Sequence, residues 1–139
     1  TADPDSDTAQ EVAEQFRKAS PPRYLVSPSF GTGWDFPDSQ CEFIVLIKVP
    51  FESAVSKVVK ARTARDVGYA DFRAMQVTEQ STGRGMRHEL DRCEVILADG
   101  HFEWFLYKNR ALAQEWFVNA VRKVSKVPPP PPRLLKEQK

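Results

Sequence analysis

The chain has 139 residues, a length typical of one folded domain, and 41% of them are hydrophobic while 28% are charged. This composition is far from that of the disordered and membrane classes, and no apolar stretch approaches the roughly 20 residues needed to cross a bilayer. Twenty Lys and Arg against nineteen Asp and Glu leave a formal charge of +1, so a nucleic-acid contact would require a local basic patch. We expect a cytoplasmic protein in which Cys41 and Cys93 are reduced thiols.

The first part of the chain predicts one helix and two strands. Apolar residues at helical spacing predict a helix over 7–19, which the two prolines that follow bring to an end. Residues 23–27 predict a short strand, and a loop rich in Pro, Gly and Ser follows it over 28–40. The run 43–47 is apolar without alternation, which indicates a strand covered on both faces.

The second part predicts three helices and one further buried strand. Helices are expected over 53–66 and 69–86, and a strand over 95–98. The last helix is expected over 109–126, with an apolar stripe that packs on the sheet. Because buried strands alternate with helices, the sheet should be mostly parallel.

A run of five prolines divides the chain near its end. Residues 128–132 favour an extended polyproline II conformation, so we expect one domain over 1–127 and a proline-rich tail over 128–139. The tail is either a solvated linker or, through a PxxPxR pattern, a docking segment.

Two arginines in the sequence QSTGRGMR are the first candidates for chemistry. Arg84 and Arg87 are three positions apart and are expected on one side of a helix, where they can bind a single anion. Guanidinium groups are permanently charged and fork-shaped, so a pair aimed at a γ-phosphate stabilises charge that develops during phosphoryl transfer. Gly83 is expected to allow the close approach of a neighbouring backbone. The alternative is a solvated basic helix face with a loose turn.

A second candidate segment is the loop SFGTGWDFPD, which follows the predicted strand 23–27. A loop in this position lies at the carboxyl edge of a sheet, where phosphate and nucleic-acid contacts are common. Its glycines allow backbone N–H groups to face a ligand, and Asp35 can accept from a ribose hydroxyl or orient an arginine. The alternative is that these are ordinary turn residues.

Together the two segments resemble motifs V and VI of the DinG/XPD-type superfamily 2 helicases, over about residues 22–99. The linking stretch supports the resemblance. The family has a strand, a Lys-Pro-Phe turn and a helix rich in Val, Ala and Arg; this chain has IKVPF over 47–51 and VVKAR over 58–62. The resemblance implies an α/β, three-layer RecA-like lobe with a mostly parallel sheet, and leaves open whether its first strand is missing.

The resemblance also implies roles for individual residues. Three are the catalytic positions of motif VI, which meet ATP from across an interlobe cleft: Gln80, Arg84 and Arg87. Three are cofactor-binding positions, of which the first two are the motif V counterparts: Gly33, Asp35 and Gly83. Three are expected near nucleic acid: Ser29, Thr32 and Lys48. Many relatives have Glu where this chain has Thr32. The strength of the coupling between the nucleotide state and the nucleic-acid strand is therefore left open.

The implied activity is that of the second motor lobe of an ATP-dependent DNA helicase. The chain has no GxxxxGK[ST] sequence and no DEAD-like acidic quartet. ATP with Mg²⁺ is therefore expected to be held mainly by a first RecA-like lobe, which is a separate chain or a missing segment, and this chain alone should not hydrolyse ATP. The other expected partner is single-stranded DNA. The two cysteines cannot form a four-cysteine iron–sulfur site, and no metal site is expected.

Two other interpretations stay open. One is a non-catalytic nucleic-acid- or partner-binding module derived from a helicase lobe, and the other is a structural relic without activity. Among the remaining residues, His88 and His101 are expected to be surface or hydrogen-bonded histidines. A group of aromatic side chains offers faces for base stacking, although packing in the core or against another lobe is favoured: Trp104, Phe105 and Tyr107.

Overall fold

The structure is a computed structural model that describes residues 6–27, 33–36, 40–86 and 92–124. The helices and strands of this part of the chain are, in order, α1 (Ser6–Lys18), β1 (Phe43–Leu46), α2 (Lys57–Arg65), α3 (Tyr69–Thr82), β2 (Glu94–Leu97), α4 (Phe102–Lys108) and α5 (Glu115–Ala120). Two 3-10 turns follow α3 and α4, at Gly83–Gly85 and Arg110–Leu112. The predicted proline-rich tail lies outside the described residues.

A two-stranded parallel sheet forms the centre of the described fold. Phe43 of β1 is paired with Glu94 of β2, and Leu46 with Leu97. Parallel strands require a crossover connection, which α2 and α3 provide. The predicted α/β class with a parallel sheet is confirmed.

The carboxyl ends of the two strands are joined by one carboxylate. Asp99 lies just after β2, and its Oδ2 accepts a hydrogen bond from the backbone N–H of Val49 at 2.9 Å. Its Oδ1 accepts from the backbone N–H of His101, also at 2.9 Å. These hydrogen bonds to the charged form lower the pKa of Asp99 below its usual value.

The hydrophobic core lies among α3, α4 and α5. Five of its residues are buried: Ala74, Met75, Phe102, Phe105 and Phe117. Five more pack against them and are partly buried: Val49, Leu97, Leu106, Ala113 and Val121. Burial of each large apolar side chain contributes about 1.5–3 kcal/mol, so this cluster is the main described source of stability.

The predicted strand over 23–27 is wrong, because these residues form neither a helix nor a strand. Tyr24 and Val26 are 86% and 85% exposed, so the apolar pattern there does not mark a buried element. Arg23 instead donates through Nη1 to the carbonyls of Arg17 and Ala19, both at 2.9 Å. Those carbonyls lie at the C-terminal end of α1. Carbonyl groups there have no donor within the helix, so they accept hydrogen bonds from side chains or water.

The first strand of the sheet is covered less completely than its apolar sequence predicted. Alternate residues of β1 are exposed, among them Phe43 and Val45, whereas Ile44 and Leu46 are partly buried. The expectation that both faces of this strand would be covered is not met within the described residues. A continuous apolar run therefore did not distinguish one covered face from two.

The C-terminal helical region differs most from the prediction. A single helix over 109–126 was expected, but the chain forms α4, a 3-10 turn and the six-residue α5. Glu79 of α3 is buried, and its Oε1 accepts from the backbone N–H of Gln114 at 2.6 Å. Gln114 is extended, with φ −70° and ψ 146°, so α5 starts only after it. A tertiary hydrogen bond thus overrides the local helical periodicity.

Other helix bounds agree more closely with the sequence. Helix α1 lies within one residue of its predicted bounds. Helix α2 starts at Lys57, later than expected, because the Ser56 side chain accepts from the backbone N–H of Val59 and forms the N-cap. Among the described helices, none has both the length and the apolar character needed to span a membrane.

Candidate functional site

The turn after α3 contacts the segment Gly33–Phe36 through one arginine. Arg84 donates through Nη1 to the carbonyl oxygen of Trp34 at 3.0 Å, and the same nitrogen lies 3.3 Å from Oδ1 of Asp35. Asp35 and Arg84 are 49 positions apart in sequence. The two segments that the sequence singled out therefore meet in the structure.

Helix α1 positions the Asp35 side of this contact. Phe36 is buried and its ring makes an edge-to-face contact with Phe16 of α1, with ring centroids 5.4 Å apart. Arg17 donates through Nη2 to the carbonyl oxygen of Asp35 at 2.9 Å, and its guanidinium lies 5.5 Å from the Phe36 ring centroid. Arg17 was not among the predicted site residues; its place in the last turn of α1 was the available signal.

The backbone at Gly33 has a conformation that favours glycine. Its φ is +81°, in the left-handed region where a side chain is strained. A Cβ there would meet no described atom within 4 Å, so the requirement comes from the backbone angle alone. The glycine thus sets the direction in which the chain enters Trp34 and Asp35.

The charges of the Arg84–Asp35 pair differ in their exposure to solvent. The Arg84 side chain is 18% exposed and the Asp35 side chain 55%. Solvent around the carboxylate screens the attraction, so the pair orients the guanidinium more than it stabilises the fold. A guanidinium held in one direction keeps its full positive charge and can act as a preorganised anion contact.

The expected helical arrangement of Arg84 and Arg87 is wrong for the part that the structure describes. Helix α3 ends at Thr82, and Arg84 lies in the 3-10 turn. Met86 is extended, with φ −122° and ψ 106°, so helical spacing does not continue toward Arg87. Arg84 also contacts protein atoms, the Trp34 carbonyl and the Asp35 carboxylate.

The two glycines beside Arg84 have different surroundings. A Cβ at Gly83 would meet no described atom within 4 Å, so the predicted close approach of a backbone is not found there. A Cβ at Gly85 would lie 2.3 Å from Sγ of Cys93 and 3.0 Å from the carbonyl oxygen of Cys41. Gly85 is therefore the close-packed glycine, and the pattern Gly-Arg-Gly was its only sequence signal.

The remaining predicted residues are distributed as follows. Gln80 is exposed on α3, one helical turn before Arg84, and Lys48 is exposed just after β1. His101 is exposed, which confirms the expectation of a surface histidine. Phe105 belongs to the core, whereas Trp104 and Tyr107 are exposed. Four predicted residues lie outside the described part of the chain: Ser29, Thr32, Arg87 and His88.

Helix α2 presents a basic surface that the site predictions did not include. It has no buried residue, and four of its nine residues are cations: Lys57, Lys60, Arg62 and Arg65. Three of these cations, with Val58 and Ala61, line an open groove of about 370 Å³. Arg62 also donates to the Tyr69 hydroxyl at 2.8 Å. The surface suits an anionic partner, and the sequence spacing of its cations was a signal for it.

Comparison with known proteins gives one match. A family model described as the helicase C-terminal domain matches residues 1–120. A search of curated proteins and a search of solved structures each gave no match. Among the residues that the structure describes, no three His, Cys, Asp or Glu side chains are grouped as they would be around a metal ion.

Proposed function

Because this chain belongs to the helicase C-terminal domain family, we propose that it is the second motor lobe of a DinG/XPD-type, ATP-dependent DNA helicase. The observation that supports this most is the contact of Arg84 with Trp34 and Asp35. It joins the candidate motif VI arginine to the candidate motif V loop. A motor lobe needs such a junction, because the state of the nucleotide must be transmitted to the segment that contacts the strand.

In this proposal Arg84 and Arg87 contribute positive charge to ATP that is bound mainly by another lobe. The donor chemistry of Arg84 fits a phosphate anion, since its guanidinium is permanently charged and fixed in direction. Gln80 positions the arginines, and Gly83 ends α3 immediately before them. ATP with Mg²⁺ would supply the phosphoryl group and its neutralising cation. Because the sequence has no GxxxxGK[ST], the proposal assigns both to a first RecA-like lobe.

Asp35 has a coupling role in the same proposal. Its half-exposed carboxylate competes with a phosphate for Arg84, so a bound nucleotide would weaken the Asp35–Arg84 attraction. Gly33 sets the backbone conformation next to Thr32 in sequence. Ser29, Thr32 and Lys48 are the proposed contacts with the DNA strand. A change at Arg84 is then transmitted to single-stranded DNA through one loop.

The test is ATP turnover by this chain joined to a first RecA-like lobe, with single-stranded DNA present. Substitution Arg87→Ala should lower turnover roughly 10³-fold or more, as loss of an arginine finger does, and Arg84→Ala should also lower it. Arg110→Ala is the matched control, because Arg110 is exposed in the turn after α4. Thermal unfolding would show that each variant is folded. Turnover unaffected by both motif VI substitutions would end the proposal.

The basic surface of α2 favours a second candidate, a module that binds nucleic acid without nucleotide. Its cations are exposed and no acidic residue lies within the helix. Titration with single-stranded DNA at several salt concentrations would give a slope that reports the number of phosphates contacted. The double substitution Lys57→Glu and Arg65→Glu should reduce that slope. This candidate would be favoured over the motor lobe if the affinity for single-stranded DNA is unchanged when ATP and the first lobe are added, and if no ATP turnover is detected.

A further inference from the structure

Two thiols lie side by side where the chain enters the sheet. Cys41 precedes β1 by two residues and Cys93 immediately precedes β2. The parallel register, with Glu94 N–H donating to the Glu42 carbonyl at 2.9 Å, brings the two entrances together. A Cβ at Gly85 would meet both Cys93 Sγ and the Cys41 carbonyl oxygen, so the two cysteines are neighbours, and both are partly exposed. Nothing in their sequence positions indicated that they would meet.

The two thiols are chemically unequal. A hydrogen bond from the Cys93 thiol lowers the pKa of Cys41 below its usual value, despite partial burial. The same hydrogen bond, together with burial, raises the pKa of Cys93. Because the thiolate is the nucleophile in disulfide exchange, the lowered pKa favours Cys41 as the sulfur that attacks first.

Gly85 forms one wall of this thiol pair. The absence of a side chain there lets the turn pack directly on Cys93 Sγ and on the Cys41 backbone. Gly85 is itself buried, and Arg84 precedes it. The two cysteines are thus held next to each other by three separate parts of the chain, the two strand entrances and the turn after α3.

We propose that Cys41 and Cys93 form a reactive dithiol site that is oxidised by low-molecular-weight disulfides of the glutathione class to an intramolecular disulfide. The Cys41 thiolate attacks one sulfur of oxidised glutathione, forms a mixed disulfide and releases a glutathione thiolate, which takes a proton from water. Cys93 then loses its proton to water and attacks the Cys41 sulfur, releasing the second glutathione as a thiolate, which takes up a proton equivalent to the one that Cys41 lost when it ionised. Two protein thiols are oxidised to one disulfide, and one molecule of oxidised glutathione is reduced to two thiols. This site does not depend on the proposed helicase function.

The test is peptide mapping of the native chain after incubation with oxidised glutathione. Remaining thiols are alkylated, and trypsin places the two cysteines on separate peptides, residues 24–48 and 93–108. The expected product is a monomeric chain in which these two peptides are joined by a disulfide. The same reaction in concentrated urea should give mixed disulfides with glutathione at both positions, because the contact between the sulfurs is lost.

Single substitutions separate the two roles. In Cys93→Ser, glutathione should accumulate on Cys41 because no second thiol displaces it. In Cys41→Ser, no intramolecular disulfide can form, and Cys93 should carry at most a single glutathione. Peptide mapping of the native wild-type chain tests the proposal even if one of the variants does not fold. Native wild-type chain that gives no joined peptides, only glutathione adducts, unreacted thiols or dimers linked between chains, would overturn the proposal.

Discussion

Asp35 Oδ1 lies 3.3 Å from Nη1 of Arg84, and the same nitrogen donates to the Trp34 carbonyl. One guanidinium nitrogen therefore contacts two adjacent residues of a loop that is distant in sequence. Because Asp35 is more than half exposed, solvent screens the ionic part of this contact. The hydrogen bond to the carbonyl, which is partly buried, sets the direction of the side chain.

A double-mutant cycle with Arg84→Met and Asp35→Asn should give a coupling energy of about 0–1 kcal/mol in urea unfolding. Arg84→Met should be the more destabilising single change, because the Trp34 carbonyl also loses a donor. The matched control is Lys123 with Glu103, whose side chains are both mostly exposed and whose coupling should be near zero. A coupling energy well above that range would mean that the pair is far more shielded than its exposure indicates.

The two glycines that flank Arg84 should respond differently to alanine. Gly85→Ala should destabilise the fold by about 1–3 kcal/mol, because the new Cβ meets Cys93 and the Cys41 carbonyl. Gly83→Ala is the control: its φ is −77° and no described atom lies within 4 Å of the new Cβ, so its effect should stay within about 0.5 kcal/mol. Chemical unfolding of both variants measures the difference. Equal effects would contradict the close packing at Gly85.

Asp99 should make stability depend on pH. Its pKa is lowered in the folded state by the backbone N–H groups of Val49 and His101, so its contribution is present above the unfolded-state pKa of about 4. That contribution is lost as the pH falls through the lower folded-state pKa. Asp99→Asn should therefore be less stable than wild type at neutral pH, and the difference should shrink in acid. Unfolding curves measured across this pH range check the sign, and a gap that widens in acid would contradict it.

Met75 is the best position for a test of the core. It is fully buried in α3, in the cluster with Phe102 and Phe117, so Met75→Ala should cost about 2–5 kcal/mol of unfolding free energy. Val67 is 90% exposed, and Val67→Ala should change stability by less than about 0.5 kcal/mol. Urea titration of both variants gives the comparison. A small loss of unfolding free energy in Met75→Ala would mean that neighbouring side chains move into the cavity.

The sequence predicted those elements whose formation depends on local pattern. The periodicity of α1 placed that helix, because residues close in sequence decide it, and the apolar runs at β1 and β2 placed two strands that pair with each other. The predicted strand over 23–27 failed because a strand requires a neighbour, and no residue that the structure describes buries Tyr24 or Val26. The single C-terminal helix failed because Glu79, a residue of α3, accepts the hydrogen bond of Gln114 and starts a new helix there.

The candidate site was predictable in its members more than in its geometry. Arg84 and Asp35 were identified from residue type and order, and an arginine was one of two partners expected for Asp35. The contribution of the Trp34 carbonyl could not be predicted, since every residue carries a carbonyl and only the fold selects one. The proximity of Cys41 to Cys93 likewise depends on the strand register.

Helix α1 supports the candidate site through its contacts with Asp35 and Phe36. Ala9 and Ala13 are buried, and Phe16 and Arg17 contact Phe36 and the Asp35 carbonyl. Any shortened version prepared for crystallisation or binding assays should therefore retain the first eighteen residues. A version that starts after Lys18 would keep Asp35 and Arg84 and yet lose the helix that supports Asp35, so loss of the contact between them in that version would say nothing about the two residues themselves.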